Sequence, residues 1–527
     1  MKTIMILGAG IMQLPGIRIA QRNGWKTVVV DGNPSALGRE MGDRFEVVDL
    51  KDRDGLCALA RRIQSDGGLD GVFTAGTDFS SSVAWVAEKL GLPGLSFDTA
   101  MKATDKCLMR EAFERVGVPS PRYACWPGQG DPVAMLGSGL DFPLVVKPVD
   151  NMGARGVRLV QGLSDLGEAC RAALSLSRSG KVIVEEYMEG PELSLDAVVY
   201  QGKVTVCGIA DRHIHFPPSF VEMGHTMPTE LDAGTVARIE AVFTQGVHAL
   251  GIGNGAAKGD IKLTPAGPMV GEIAARLSGG YMSGWTFPLA SGIEVTGAAL
   301  NIAMGLPPGD LDPRWHRTCA ERALISIPGI VARVEGERGA RAVPGVEDIF
   351  LRVSAGVEVV FPTNNVEKCG NIIVVGVDRQ EAVRRAGEAL SLMCIRLKPD
   401  VERSTRWLFQ ETGNDAFSGP LFAAAGALPR FRGSPSDLNP DGPISVVDAG
   451  DGAASGNWNA AALTPAVNEA LRLGGGVMSA PSGAGPALGS IFWHALARGG
   501  SQGALYLLDT VRQAARARRL AEFVQRL

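Results

Sequence analysis

Over the first hundred residues, short apolar runs alternate with stretches of helical periodicity. Residues 3–7, 27–30, 45–48 and 71–74 read as strands, with helical segments such as 16–23 and 53–65 between them. Apolar strands separated by helices predict a parallel sheet with helices on its faces. A helix over 105–116 opens a second region and ends at the Pro-punctuated Gly117-Val-Pro-Ser-Pro121. Strands are predicted at 143–147, 182–187 and 192–200, a helix at 235–250, and two further strands at 259–263 and 269–273. Between about 320 and 400, strands at 322–327 and 371–377 accompany a helix at 379–392. Four parts are expected: 1–105, Rossmann-like; 106–190, a small lid; 191–410, an α+β catalytic part; and 411–527, an α/β appendage.

Composition narrows the class. At roughly 150 residues per domain, 527 residues suit about three or four domains. Lys and Arg number 52 against 56 Asp and Glu, a formal charge of −4, so the basic footprint of a dedicated nucleic-acid binder is missing. The eight cysteines occur singly, with no C-x-x-C and no zinc spacing, and neither a structural zinc nor a disulfide framework is expected. No run reaches the 18 or so apolar residues of a membrane span, and Met1–Gly16 reads as a first strand and its turn rather than a leader. Cytoplasmic residence is expected. Gly, Ala, Ser and Pro dominate 413–456; beyond lie strand-like 443–447 and 477–479 and an Arg/Ala-rich helix at 508–527. A scaffold, lid or dimerisation role, the last giving a homodimer, is expected for this appendage.

Two glycine-bearing motifs follow strands. Gly8-Ala-Gly10, with Asp31 ending the second strand, partly matches a dinucleotide fingerprint, but Gln13 holds the third glycine position. A structural turn is the preferred reading. The other set is richer. Lys147 ends an apolar strand and is the only lysine between Lys106 and Lys181. Lysines are rarely buried unless paired, and a triphosphate would be a suitable partner. The loop Asp150-Asn-Met-Gly153-Ala-Arg155-Gly156-Val157 follows at once and can turn N–H groups toward phosphate oxygens. Asp260 and Glu272 flank a short turn, so a hairpin would bring both carboxylates together in a pair suited to Mg²⁺. Arg276, four residues on, is placed to offset charge on a transferred phosphoryl group.

In order, Lys106, PLVVKP with its glycine loop, VEEYMEGPE and GDIKLTPAGPMVGEIAAR resemble the ATP-grasp superfamily over about residues 1–400. The resemblance implies that Lys106 and Lys147 contact ATP phosphates, and that the loop from Asn151 through Gly153 and Gly156 to Val157 closes over them. Glu185, Glu186 and Met188 would line the adenine and Glu192 the ribose. Asp260 and Glu272 would hold Mg²⁺ (or Mn²⁺), and Arg276 would face the γ-phosphate. Asp260 replaces a more usual Glu, and Ala274 stands where the family commonly has a metal-binding Asn, which leaves the number of Mg²⁺ ions, one or two, open.

After Arg276 the chain reads Leu277-Ser-Gly-Gly-Tyr-Met-Ser-Gly-Trp285, which resembles carboxylate–amine ligases, including those that join amino acids. Gly279 and Gly280 would let a substrate carboxylate approach the backbone. The Pro-rich, polar stretch 211–225 is expected to be an irregular loop. Within it, Glu222 would hold a substrate ammonium and His225 would orient it. Arg322, on a following strand, is a candidate for a substrate carboxylate. The reaction implied is acyl-phosphate formation from a small carboxylate and Mg-ATP, then capture by an amine. An ATP-grasp carboxylase or purine-pathway ligase, and a non-catalytic nucleotide-binding module, are the alternatives.

Overall fold

A computed structural model describes residues 1–133 and 139–409 and scattered positions between 495 and 513. The expected linker over 413–456, the strands at 443–447 and 477–479, and most of the 508–527 helix lie outside the described residues. The chain forms two compact units, Met1–His213 with His225–Cys319, and Ile214–Gly224 with Ala320–Leu527.

The first unit opens with β1 (Thr3–Leu7), β2 (Lys26–Asp31), β3 (Arg44–Val47) and β4 (Gly71–Phe73), a parallel sheet in the order β3-β2-β1-β4. Helices α1 (Leu14–Arg22), α2 (Arg53–Gly67), α3 (Ser80–Leu90) and α4 (Phe97–Lys102) accompany it. Every residue of β1 is buried, as a strand covered on both faces requires. The glycine turn after β1 is structural. Asp31 accepts the Ala9 N–H at 2.7 Å, and a Cβ on Gly8 would meet the Gln13 side chain at 2.9 Å.

Next, α5 (Lys106–Val116) starts under an Asp105 cap, whose carboxylate accepts the Cys107 and Leu108 N–H groups, and ends at Gly117 in the left-handed region. The lid sheet follows, with β5 (Tyr123–Trp126), β6 (Leu144–Pro148), β7 (Arg158–Val160) and β8 (Val182–Glu186) in the order β5-β8-β6-β7, packed on α6 (Leu163–Leu176). Cys107 and Cys125 are disulfide-bonded with Cα atoms 6.2 Å apart, a bond that the expectation of no disulfide framework missed. Their 18-residue separation carries no signature; packing of β5 against α5 brings them together.

The catalytic sheet uses β9 (Glu192–Tyr200), β10 (Lys203–His215), β11 (Val221–Met227), β12 (Gly255–Thr264) and β13 (Gly267–Ala274). Within the first unit β13, β12, β9 and β10 are consecutive antiparallel neighbours. Helix α7 (Ala233–Leu250) and α5 cover one face, while α8 (Phe287–Ser291) and α9 (Val295–Ala303) follow β13. Segment 211–225 is largely strand, which corrects the expected loop: β10 runs to His215 and every residue of β11 is buried. Its polar side chains hid this because their partners are distant. His213 Nε2 bonds Thr226 Oγ1 at 3.0 Å, and His225 Nε2 bonds Thr286 Oγ1 at 2.9 Å.

The second unit contains β14 (Thr318–Leu324, which begins at its boundary), β15 (Gly329–Glu335), α10 (Glu337–Ala342), β16 (Val346–Leu351), β17 (Glu358–Val359), β18 (Gly370–Gly376), α11 (Arg379–Leu392), β19 (Cys394–Leu397) and α12 (Glu402–Phe409). Strands run β14-β18-β16 and β17-β15-β19. Its core includes Ile325, Ile372, Leu390 and Leu408, joined by Tyr506. Gln502 accepts the Ile327 N–H at 2.9 Å and donates to the Ile395 carbonyl at 2.9 Å, so described parts of the C-terminal segment are built into this unit.

Candidate active site

Strand alternation sorts the catalytic sheet into an apolar and a polar face. Along β9, Leu193, Leu195, Ala197 and Val199 join a core with Met109, Ala112 and Phe113 of α5 and Phe243 of α7. The alternate residues Glu192, Ser194 and Asp196 occupy the other face, opposite Lys262, Asp260 and Lys258 of β12. Asp260 and Glu272 are direct partners across the β12–β13 hairpin, as the short turn implied.

A bulge makes this pairing compatible with the core. Asp260 pairs with Glu272 but Ile261 pairs with Val270, which leaves Gly271 as the extra residue. Val270 and Ile261 therefore reach the core while Glu272 stays on the polar face. Gly271 offers its carbonyl to Arg110 Nη2 at 2.7 Å. A Cβ there would lie 3.1 Å from the Asp260 carbonyl oxygen and 3.6 Å from Met188 Cε, so Met188 lies over this edge of the hairpin.

Cations surround the two acids. Lys106 Nζ stands 3.8 Å from Glu272 and donates to the Asn151 carbonyl at 3.0 Å, joining α5 to the glycine loop. Arg212 Nη1 lies 2.9 Å from Asp260 Oδ1, and Lys258 contacts Asp260 Oδ2. Arg212 also pairs with Glu192, which Lys262 approaches to 3.6 Å. Although burial opposes ionisation of Glu272, Lys106, Lys258 and Arg276 together hold its carboxyl below the usual range. Arg276 Nη1 donates to the Leu277 carbonyl at 3.0 Å.

Lys147 has a partner that the sequence did not suggest. Its ammonium lies 2.5 Å from Glu185, whose other oxygen accepts Arg110 Nε at 2.8 Å. Side-chain exposures of 1% for Arg110 and 2% for Glu185 put this pair wholly inside the protein. Burial raises the Glu185 pKa, but Arg110 and Lys147 outweigh it and hold the carboxyl low. Glu186 turns the other way, to Arg122 Nε at 2.9 Å and the Asp141 N–H at 3.0 Å. In the glycine loop, Gly153 and Gly156 have φ of +68° and +74°, and Val157 N donates to the Ala154 carbonyl at 3.2 Å. Asn151 Nδ2 donates to the Leu176 carbonyl. Asp78, after β4, binds Arg178 at 2.6 Å and Arg155 of the loop at 3.5 Å.

Asp196 is fully buried and accepts both Ser278 N–H (2.9 Å) and Oγ–H (2.8 Å), anchoring the loop that leads to Gly279 and Gly280. Burial pushes its pKa up to about 6. Gly279 is seated against Gly76, a Cβ on it meeting the Gly76 carbonyl at 3.4 Å. In the second unit Glu222 is buried, its N–H donating to Asn365 Oδ1 at 2.8 Å, and Arg322 Nη1 donates to the Glu321 carbonyl at 2.8 Å. His225 belongs to the first unit. Sequence reading missed Arg110, Asp196, Arg212 and Lys258. Period-two counting outward from Glu192 and Asp260 would have flagged Asp196 and Lys258, whereas Arg110 and Arg212 become visible only through their partners.

The fold is of the ATP-grasp type. The ATP-grasp domain family matches residues 140–284 and the ATP-grasp N-terminal domain family residues 17–94, so the chain carries an ATP-grasp domain. In the second unit, the L-amino acid ligase C-terminal domain 2 family matches residues 322–398. Human carnosine synthase 1 is 27% identical over 332 residues, 58% of this chain and 40% of that protein. The 3-methyl-D-ornithine--L-lysine ligase of Methanosarcina barkeri is 27% identical over 257 residues, 46% of this chain and 63% of that one. The chain thus spans less than two thirds of either relative. The L-amino acid ligase of Bacillus licheniformis aligns with a TM-score of 0.67 at 24% identity, covering 76% of this chain and 99% of that one. Among the described residues no helix is long and apolar enough to cross a membrane.

Proposed function

We propose that the chain is an ATP-dependent ligase that activates a carboxylate as its acyl phosphate and joins it to an amine, with amino acids as the substrate class. The observation that carries this reading is the Asp260–Glu272 pair in register on one hairpin, ringed by Lys106, Lys258, Arg212 and Arg276. Two acids among four cations suit a polyanion that brings its own divalent ion. Hard carboxylate oxygens from Asp260 and Glu272 fit Mg²⁺, which takes one or two carboxylates plus phosphate oxygens. When bound, the ion would draw negative charge from the phosphoryl group being transferred.

The protein groups then have distinct tasks. Lys106 and Lys147 donate to phosphate oxygens, and Lys147 reaches them from a fixed position because Glu185 and Arg110 hold it. The loop from Asn151 to Val157 excludes water while Lys106 holds it by the Asn151 carbonyl. A substrate carboxylate oxygen attacks the γ-phosphorus and ADP leaves. The amine nitrogen then attacks the acyl carbon, phosphate departs, and the nitrogen gives up its proton. Arg276 and the backbone at Gly279 and Gly280, anchored through Ser278 on Asp196, are placed for the carboxylate and its phosphate. Glu222, His225 and Arg322 are assigned to amino and carboxylate recognition.

ADP release with Mg-ATP, assayed against amino acids singly and in pairs with and without bicarbonate, tests the reading. Release requiring two amino acids is expected. A bicarbonate requirement would move the enzyme to the carboxylase class, and tight ATP binding with no ADP from any combination would remove the ligase reading.

A further inference from the structure

The next pair along the polar face of the hairpin, beside Asp260 and Glu272, is Lys258 opposite Ala274. A donor side chain at position 274 would stand beside both acids, but Ala274 supplies none. Its partner supplies a cation instead. The Lys258 side chain is 12% exposed and its ammonium contacts Asp260 Oδ2, while Arg212 takes Oδ1 at 2.9 Å. Both oxygens of Asp260 are therefore engaged by cations of the chain itself. On its other side Lys258 is registered with Asp196, so its ammonium stands on the polar face beside Asp196 and Asp260.

Phosphoryl-transfer sites with two metal ions need oxygen ligands for both, usually carboxylates shared between them. Here one acid is already neutralised twice and position 274 has no oxygen. We propose that Lys258 is a built-in cation occupying the place of a second divalent ion, so that the site takes a single Mg²⁺ on Asp260, Glu272 and the nucleotide. The inference rests on the Mg-ATP reading given above, but not on which carboxylate or amine is used. Lysine suits this task as a compact point charge with three donors.

The test counts metal with nucleotide alone. Mn²⁺ binding to the full chain is measured by electron paramagnetic resonance in saturating adenylyl imidodiphosphate, with no carboxylate or amine present. One Mn²⁺ per chain is expected for the wild type, and two for the double variant Lys258→Ser, Ala274→Asn. Two in the wild type, or one in the double variant with nucleotide still bound, would overturn the proposal. Lys258→Arg keeps the charge and is expected to keep the count at one, which controls for folding; a count of two there would also overturn it. In turnover, Lys258→Met should lower ADP release by about 10²–10³-fold, the cost typical of removing one electrostatic contact to the reacting centre. Saturating Mg²⁺ should recover at least tenfold of that loss once A274N is added, and a loss independent of Mg²⁺ would indicate only a structural ion pair. Failure of the ligase reading would show as silence in the ADP assay with the Mn²⁺ count unchanged.

Discussion

Glu185 on the lid strand β8 and Asp196 on the catalytic strand β9 are both acids at full burial, yet they are held in opposite ways. Glu185 faces two cations, Arg110 and Lys147, and stays ionised with a lowered pKa. Asp196 accepts the hydroxyl and amide of Ser278 and makes no direct ion pair, and burial outweighs these bonds and the more distant charges of Arg276 and Lys258, raising its pKa to about 6. Desolvation is common to both, so the partner decides the sign. Glu186, one residue from Glu185 and on the opposite face of the strand, shows the third case. Arg122 beside it is 58% exposed, where water screens the pair.

Breaking the buried side of this comparison should have the largest effect. Arg110→Met leaves Glu185 and the Gly271 carbonyl without their buried donor, and a loss of about 3–5 kcal/mol is expected in denaturant unfolding. A loss below about 1 kcal/mol would mean that Lys147 alone sustains Glu185. Lys147→Ala or Glu272→Ala should reduce ADP release by at least about 10²-fold with the fold retained by circular dichroism; unchanged turnover would remove the site assignment.

Asp196 provides the pH arm. A folded-state pKa near 6 against an ordinary 3.8 means the native protein binds the proton more tightly than the unfolded chain. Stability from this group is therefore greatest below about pH 4 and is lost as pH rises through 6. The shift of about two units corresponds to about 3 kcal/mol at most. Asp196→Asn should flatten that window: melting measured from pH 4 to 8 should favour the variant over wild type increasingly toward pH 8. A constant difference would refute the buried-carboxyl account. Glu185 and Glu272 behave oppositely, their contributions vanishing as pH falls through their depressed pKa values. Smallest of all, Glu186→Ala should cost under about 1 kcal/mol, with the difference shrinking in high salt.

Much of the architecture was legible because its cause is local. The strand read at 192–200 is β9 and the helix read at 379–392 is α11, each with the same bounds. The strand ending in Lys147, the glycine loop and the acid-bearing hairpin were found from spacing, since a short turn makes Asp260 and Glu272 neighbours wherever the hairpin packs. Segment 211–225 went unread because His213 and His225 are satisfied by Thr226 and Thr286, and polar strand residues look like loop until those partners are known. The Cys107–Cys125 bond was hidden for the same reason.

By itself the sequence determined which residues could share a face, since that follows from a period of two in strands and 3.6 in helices. It also supplied the residue types, with Lys, Asp, Glu and Arg at positions where phosphate and metal chemistry needs them. Only the tertiary structure decided their states. Arg110 meets Glu185 across 75 residues and Gly271 across 161, and Asp196 meets Ser278 across 82. Such contacts fix whether a buried acid is paired or alone, and burial makes that difference large because no water remains to compensate for a missing partner.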